Sequence, residues 1–351
     1  MLVFETAIAF FITLGVLVVV HEWGHFIASK LLGVRVEEFA IGFGPKLVTI
    51  AKKDDTEYTI RAVPLGGFNK LSGMEPGEDE DDPRGYNAQP IWKRFLIVFA
   101  GPFMSFLLAY VIFCAMGTTI GLPSDVQNKV KAVNPGSPAA KAGLKPGDRV
   151  IAINGEKIRH GQDLQEIVFK SAGKELTLQI QRDSKVLDVK ATPELKELEG
   201  KKVGLMGVQL TASETQKYGF TGSIIRGTQM TVFLVQETLD TLTTKSKLKR
   251  VGGIIAIARA TAETIKYGVY ALFLQGAMLS LTLAILNLFP WPILDGGHIL
   301  LLGLEAVRRK KLTPEQMQVF QTIGLATLLA LVGILFYIDI AKWVAGTPVG
   351  Q

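Results

Sequence analysis

Apolar residues in this chain are not scattered but gathered in long blocks. Four stand out, at about 2–32, 91–120, 268–307 and 319–344. Each is about 20 residues or more, enough to cross a bilayer core of roughly 30 Å as a helix. The third contains Pro290 and Pro292, which stop a helix just before them. The first is expected to be retained rather than cleaved as a leader. No Lys or Arg precedes it, and it ends in histidines and charged residues instead of a small-residue cleavage site.

The segments between the blocks read differently. Residues 33–90 are rich in turn formers, with "IGFGPK", "VPLGGFNK" and "SGMEPG". Within them "EYTIRAVPLGG" alternates Tyr58, Ile60 and Ala62 with polar neighbours, the period of a strand. "EPGEDEDD" is an acidic run expected as a solvated loop. Between blocks two and three, about 122–211 alternates apolar and polar residues around Gly/Pro punctuation. It holds a short helix at "GQDLQEIVFKSAG" and a hairpin about Arg182, Asp183 and Ser184, so a small α+β module is expected. Residues 221–244 form a helical stretch interrupted by Arg226, Glu237 and Asp240, which reads as interfacial rather than spanning. The division that follows is 1–120, 121–212, 213–267 and 268–351. These are the first two spans with a β-rich loop, the soluble module, interfacial amphipathic helices, and the last two spans.

Composition excludes other classes. Hydrophobic residues are 48% and charged residues 20%, and mean hydropathy is +0.30, so neither a disordered nor a wholly soluble protein fits. The single cysteine, Cys114, leaves no disulfide framework and no Cys-based zinc site. The net charge of +6 reflects basic loops rather than nucleic-acid binding, and no nucleic-acid partner is expected. Lys and Arg crowd the loop after span one (Lys30, Arg35, Lys46, Lys52, Lys53, Arg61, Lys70) and the loop before span four (Arg308, Arg309, Lys310, Lys311). Both loops belong on the cytoplasmic side. Four spans then put both termini and the soluble module outside. A fifth span at 221–244 would throw the Arg308–Lys311 cluster to the wrong face.

Span one ends in "VVVHEWGHFIASK". His21 and His25 are four residues apart, so they share one helix face and can hold one zinc ion. Glu22 lies about 100° round the helix, where a base acting on water sits rather than a ligand. Ionisable groups in an apolar helix are costly and mark function. A catalytic zinc takes three protein ligands and keeps an open position. His160, in the soluble module, is not a candidate third ligand. Span three offers "NLFPWPILDGGHILLL", in which Asp295 is the expected ligand and His298 the competitor. Asn287 either hydrogen-bonds substrate or a developing oxyanion, or satisfies backbone freed by the prolines.

"HEWGH", "NLFPWPILDGGH", "GFGPK" and "PLGG" together resemble the site-2 protease family of intramembrane zinc metalloproteases. The order of parts is most similar to its bacterial RseP-type subgroup (regulator of sigma-E protease), here with a single PDZ domain. The resemblance covers nearly the whole chain. It implies a membrane α-helical fold: four transmembrane helices, a re-entrant β-rich loop and an inserted α+β PDZ domain. It implies zinc, one per chain, on His21, His25 and Asp295, with Glu22 catalytic and Asn287 handling substrate. Gly42, Phe43, Gly44, Gly66 and Gly67 would belong to a re-entrant β-structure that binds an unwound substrate. The stretch "AAKAGLKPGDRVIAING" looks like a PDZ signature. Leu205, Met206, Gly207 and Val208 resemble its ligand loop, which captures peptide termini or strands.

The implied activity is a zinc-dependent endopeptidase in the bacterial inner membrane, with its active site toward the cytoplasm. It would cut single-span membrane proteins in regulated intramembrane proteolysis, for example of an anti-sigma factor or signal-peptide remnants. Two rivals stand beside it. An ion transporter would show two repeated halves, and neither "HEWGH" nor "LDGG" recurs. An inactive PDZ scaffold would not need Glu22.

Overall fold

A computed structural model describes residues 2–75, 82–123, 128–158, 161–198, 201–211, 215–244 and 253–344. Most of the acidic run and His160 lie outside the described residues, as do the extreme termini. The chain divides into two compact units, Met1–Met116 with Phe220–Gln351, and Gly117–Gly219.

The first unit begins with α1 (Leu2–Leu32), followed by β1 (Val36–Lys53), β2 (Thr56–Leu71) and α2 (Ile91–Thr119). After the insert come α5 (Phe220–Thr243), α6 (Ile254–Ile265), α7 (Val269–Asn287), α8 (Asp295–Arg308) and α9 (Pro314–Val344). Four helices are long and apolar enough to cross a membrane: Thr6–Leu32, Ile91–Thr119, Val269–Asn287 and Pro314–Ile338. The third apolar block is therefore not one helix. It is α7, an irregular segment at 288–294, and α8.

Helices α1 and α2 approach closely because small residues face each other. A Cβ at Gly24 would lie 2.3 Å from the Ala100 carbonyl oxygen. In hydrocarbon such close backbone packing holds helices together where no water-driven force acts. In the first turn of α2, Arg94 makes a two-pronged ion pair with Glu305 of α8, with Nη1–Oε2 at 2.9 Å and both residues buried.

β1 and β2 fold back on themselves. Residues 38–41 of β1 pair both with 57–60 and with 67–70 of β2. The outer half of β1, 46–53, pairs with 56–61 across a two-residue turn at Asp54 and Asp55, whose φ of 52° and 64° suit a tight hairpin. The last segment of β2, 67–71, is thus an edge. Gly67 lets that edge lie against β1, since a Cβ there would be 2.4 Å from the Ala40 oxygen. The burial pattern departs from expectation. Thr56 and Thr59 are buried, while Ile60, Leu47, Val48 and Ile50 are exposed. The partly buried Glu38 carboxylate accepts from Thr59 and Arg61. The sheet thus buries hydroxyls beside Val36, Ala40 and Leu71 and leaves several large apolar side chains at its surface.

The second unit contains β3 (Leu122–Pro123), β4 (Val130–Val133), α3 (Pro138–Lys141), β5 (Arg149–Ile153), β6 (Glu156–Lys157), α4 (Gly161–Lys170), β7 (Leu176–Arg182), β8 (Lys185–Ala191), β9 (Glu194–Leu198), β10 (Lys201–Leu205), β11 (Val208–Leu210) and β12 (Thr215–Gln216). Its central sheet has the order β6-β5-β7-β8. The β7–β8 hairpin turns at Asp183 and Ser184, as the sequence implies. Leu164, Val168, Val150, Leu178 and Ile180 form the core. Buried Asp148 accepts two bonds from Arg182, at 2.7 and 2.8 Å, and one from the Lys145 N–H. Burial acts to raise the Asp148 carboxyl, but these donors outweigh it and hold it below the usual carboxylate range.

Candidate metal centre and active site

His21 and His25 face the same way from α1, as their spacing requires. The second histidine has its tautomer fixed by its partner. His25 Nδ1 lies 2.8 Å from the Ile97 carbonyl oxygen. A carbonyl only accepts, so Nδ1 carries the proton and Nε2 keeps a lone pair. Ser105 Oγ sits 3.0 Å from His21 Nδ1, and Ser105 is itself tied to α7 through Ser280, whose hydroxyl donates to its carbonyl at 2.7 Å. On the other side of His21, the Asn287 amide nitrogen lies 3.3 Å from Nε2. An amide nitrogen only donates, so this Nε2 also presents a lone pair.

The two Nε2 atoms are 3.4 Å apart. Asp295 completes the group, with Oδ2 at 3.1 Å from His21 Nε2 and Oδ1 at 3.5 Å from His25 Nε2. One donor atom from each residue can be chosen so that all lie within 4.8 Å. Asp295 Oδ2 is buried, and among the described residues no donor is aligned with it. Converging lone pairs and an orphaned carboxylate oxygen repel one another unless a cation lies between them. Metal–ligand bonds of about 2.0–2.1 Å at tetrahedral angles put donors roughly 3.3 Å apart, the spacing seen. The donor set, two imidazoles and a carboxylate with no thiolate, suits a catalytic zinc. The residues fit the ion.

Asp295 reaches this place through an unusual turn. Leu294 N–H bonds the Trp291 carbonyl at 3.2 Å, with Pro292 and Ile293 between them. Ile293 has φ +78°, a position a type II turn normally gives to glycine. Such strain in a β-branched residue costs about 1–3 kcal/mol and collects at functional sites. Gly296 and Gly297 then let α8 start directly beneath the returning chain. Cβ atoms there would fall 2.3 Å from the Leu288 oxygen and 2.1 Å from the Trp291 oxygen.

Glu22 lines the same cavity, of about 320 Å³, together with His21, His25, Asp295, Asn287, Phe68, Asn69 and His298. The competitor His298 is thus near, but Asp295 is the residue that joins the two histidines. Among the glycines singled out from sequence, Gly66 packs on α1, where a Cβ would be 3.0 Å from Val18, and Phe43 stacks on Phe68. Gly42 and Gly44 shape the bend of β1, with φ of 92° and 81°.

The family model described as Peptidase family M50 matches residues 9–331. The chain belongs to peptidase family M50. It is 31% identical to the Regulator of sigma-W protease RasP of Bacillus subtilis (strain 168), over 96% of this chain and 99% of that protein. It is 30% identical to the Zinc metalloprotease RasP of Geobacillus kaustophilus (strain HTA426), over 97% and 98%. A putative zinc metalloprotease of Brucella suis biovar 1 (strain 1330) is 32% identical over 95% of each. Among solved structures, the PDZ domain of the SdrC-like protein from Listeria monocytogenes is similar to 25% of this chain and 90% of its own, at 19% identity and TM-score 0.22. This M50 chain is a zinc metalloprotease whose membrane-capable helices make it an intramembrane endopeptidase.

Four residues at the site escaped the sequence reading: Asn69, Gly101, Ser105 and Ser280. The serines are polar positions inside apolar spans, and such positions are seldom idle. Gly101 and Asn69 carry no comparable signal. Gly101 is one of many helix glycines, and Asn69 sits in a turn-rich stretch where asparagine is ordinary.

In the soluble module, Leu205, Met206, Gly207 and Val208 line a groove of about 580 Å³ with Leu164, Gln165, Val168 and Phe169 of α4. Gly207 has φ +71°, and a Cβ there would be 2.4 Å from Ser137 Cβ.

Proposed function

We propose that His21, His25 and Asp295 are the zinc ligands and Glu22 the general base that cleaves a peptide bond inside the membrane. Zinc bound there would supply a Lewis acid that polarises the scissile carbonyl and acidifies water. The protein side of the reaction follows from the cavity. The Glu22 carboxylate accepts a proton from the attacking water and delivers it to the departing amine nitrogen. Asn287 Nδ2 donates to the carbonyl oxygen as negative charge develops on it. The observation that carries this reading is a carboxylate in the same cavity as three converging metal donors, one residue from the first of them on α1.

Substrates are single-span membrane proteins, with their outer part already trimmed by another protease. They include a membrane-bound regulator of a sigma factor; the Bacillus relative is named Regulator of sigma-W protease RasP. A peptide bond in a membrane helix is already hydrogen-bonded, so the substrate unwinds before it is cut. The edge at 67–71, with Gly66 and Gly67 and with Gly42, Phe43 and Gly44 across the sheet, receives the unwound strand by main-chain pairing. The outward apolar faces of β1 and β2 support a re-entrant position for this sheet. Helices α5 and α6 lie at the interface. The soluble module acts as a PDZ domain outside the cytoplasm and filters substrates at its groove. Both termini lie on that same side, and the active site lies toward the cytoplasm.

The test is Glu22→Gln with the full chain and tagged single-span proteins. It should keep about one zinc per chain and lose about 10²–10⁴-fold or more in cleavage rate. Cleavage at the wild-type rate would overturn the assignment, and loss of zinc would move Glu22 among the ligands.

A further inference from the structure

Asn69 stands on the edge segment of β2 and reaches the catalytic carboxylate. Its Nδ2 donates to the backbone carbonyl of Glu22 and, at 3.0 Å, to Glu22 Oε2. Both partners are acceptors, so the amide can be oriented in one way only. That orientation points Oδ1 away from Glu22. Oδ1 is buried, and no donor among the described residues meets it. Asn69 also lines the cavity that holds the metal donors. A buried carbonyl left without a partner costs about 1–3 kcal/mol. Natural structures rarely keep one without a use.

We propose that Asn69 serves two partners: it orients Glu22 through Nδ2 and accepts a backbone N–H of the unwound substrate at Oδ1. The chemistry of the ligand follows from the atom. Oδ1 can only accept, and the groups that converge beside it, His21 Nε2, His25 Nε2, Asp295 and Glu22, are acceptors as well, while Asn287 Nδ2 supplies a donor for the scissile carbonyl. A substrate helix that unwinds in an apolar surrounding exposes N–H groups that must find acceptors. The residue also sits on the edge segment proposed to receive the substrate strand, so its side chain and the main chain of β2 address the same peptide. Substrate selection then favours chains that expose a free N–H beside the scissile bond. A proline at that position would leave Oδ1 unsatisfied. This inference rests on the proposed role of Glu22.

The experiment uses the full chain with zinc, in detergent. The probe is a fluorophore–quencher peptide with a span of about 20 Leu/Ala residues, a central Gly-Asn-Gly and Lys flanks. Binding is read by anisotropy in the Glu22→Gln background, and kcat and KM in the Glu22 enzyme. Asn69→Leu should weaken probe binding about 5–10-fold, the worth of one buried hydrogen bond, and should also lower kcat. Asn69→Asp keeps an acceptor but loses the donor to Glu22, so KM should stay within about twofold while kcat falls about tenfold or more. A role confined to folding would move melting temperature and zinc content instead and would not split KM from kcat. Wild-type binding and turnover by Asn69→Leu would overturn the proposal. If Asn69→Leu fails to fold, Asn69→Asp decides: KM and kcat changing together would overturn it. Failure of the underlying reading shows separately, as full cleavage by Glu22→Gln with Asn69 intact.

Discussion

Replacing a helix-interior glycine by alanine ordinarily stabilises a helix by about 1 kcal/mol. At Gly101 the opposite is expected. A Cβ at this position in α2 would fall 2.1 Å from His25 Nε2, 2.4 Å from Cε1 and 2.8 Å from Cδ2. The nearest contact is roughly 1.4 Å short of the 3.5 Å at which non-bonded atoms begin to attract. The ring has little freedom to yield, because its Nδ1 is bonded to the Ile97 carbonyl one turn earlier on the same helix. Moving α2 away would give up its close backbone packing on α1, where Gly24 meets Ala100. Overpacking of this kind costs about 1–3 kcal/mol, which cancels or exceeds the helix gain. The larger effect falls on the metal. Ligand distances must hold within about 0.2 Å, and disturbing even the residues behind a ligand costs about 10–100-fold in affinity. Gly101→Ala should therefore bind zinc at least about 100-fold more weakly and lose cleavage with it. Zinc retained after dialysis against a graded chelator series gives the affinity, and the melting temperature gives the stability. Gly303→Ala in α8, with no atom within 4 Å of the added Cβ, is the control and should be neutral or stabilising. Full zinc occupancy with wild-type cleavage in Gly101→Ala would refute the argument.

Asp295→Ala should abolish zinc retention while His298→Ala keeps it; the reverse result would exchange their roles. Arg182→Met leaves the buried Asp148 carboxylate unpaired and should destabilise the soluble module by about 3 kcal/mol, measured by denaturant melts. Because the Asp148 carboxyl is held below its usual range, its contribution is present above about pH 4 and is lost as pH falls through the depressed value. Acid unfolding of the wild-type module should therefore soften below about pH 4, and Arg182→Met should flatten that dependence. Gln165→Trp, from an exposed groove position on α4, should change which substrates are cut without altering zinc content. A block at Gly207 would instead clash with Ser137 and strain the backbone.

The membrane-capable helices and the meeting of His21 with His25 were legible because their signals are local. Helix length needs only a run of apolar residues, and His21 with His25 needs only the i, i+4 spacing. Asp295 was legible for a different reason, as a lone carboxylate among apolar neighbours. The third block was less so: prolines say that a helix stops but not that Asp295 starts the next one, nor that Ile293 takes a left-handed turn position. The β region misled in detail. Alternation at Tyr58, Ile60 and Ala62 gave the strand, but the buried residues are Thr56 and Thr59. Thr56 and Thr59 are three residues apart, so their shared burial does not follow a period of two in this irregular sheet. Asn69 and Gly101 act through partners far away in the chain, Glu22 and His25, and no local pattern reports such pairs.

The two ends of the inserted module are pinned together. Leu122 pairs with Gln216 and Pro123 with Thr215, and the Tyr218 N–H reaches the Gly117 carbonyl at 2.8 Å. The chain therefore enters and leaves the module at one point, like the two wires of a plug. For the helices on either side, α2 and α5, the whole module is equivalent to a hairpin of a few residues, and its internal length is invisible to them. Material can be added or exchanged beyond that clamp with no new demand on the catalytic helices. The matches to the two RasP proteins run over 422 and 420 residues against a chain of 351, so those relatives carry extra residues within the matched stretch. A clamp of this kind turns a loop into a socket, in which recognition can evolve while the cutting machinery stays as it is.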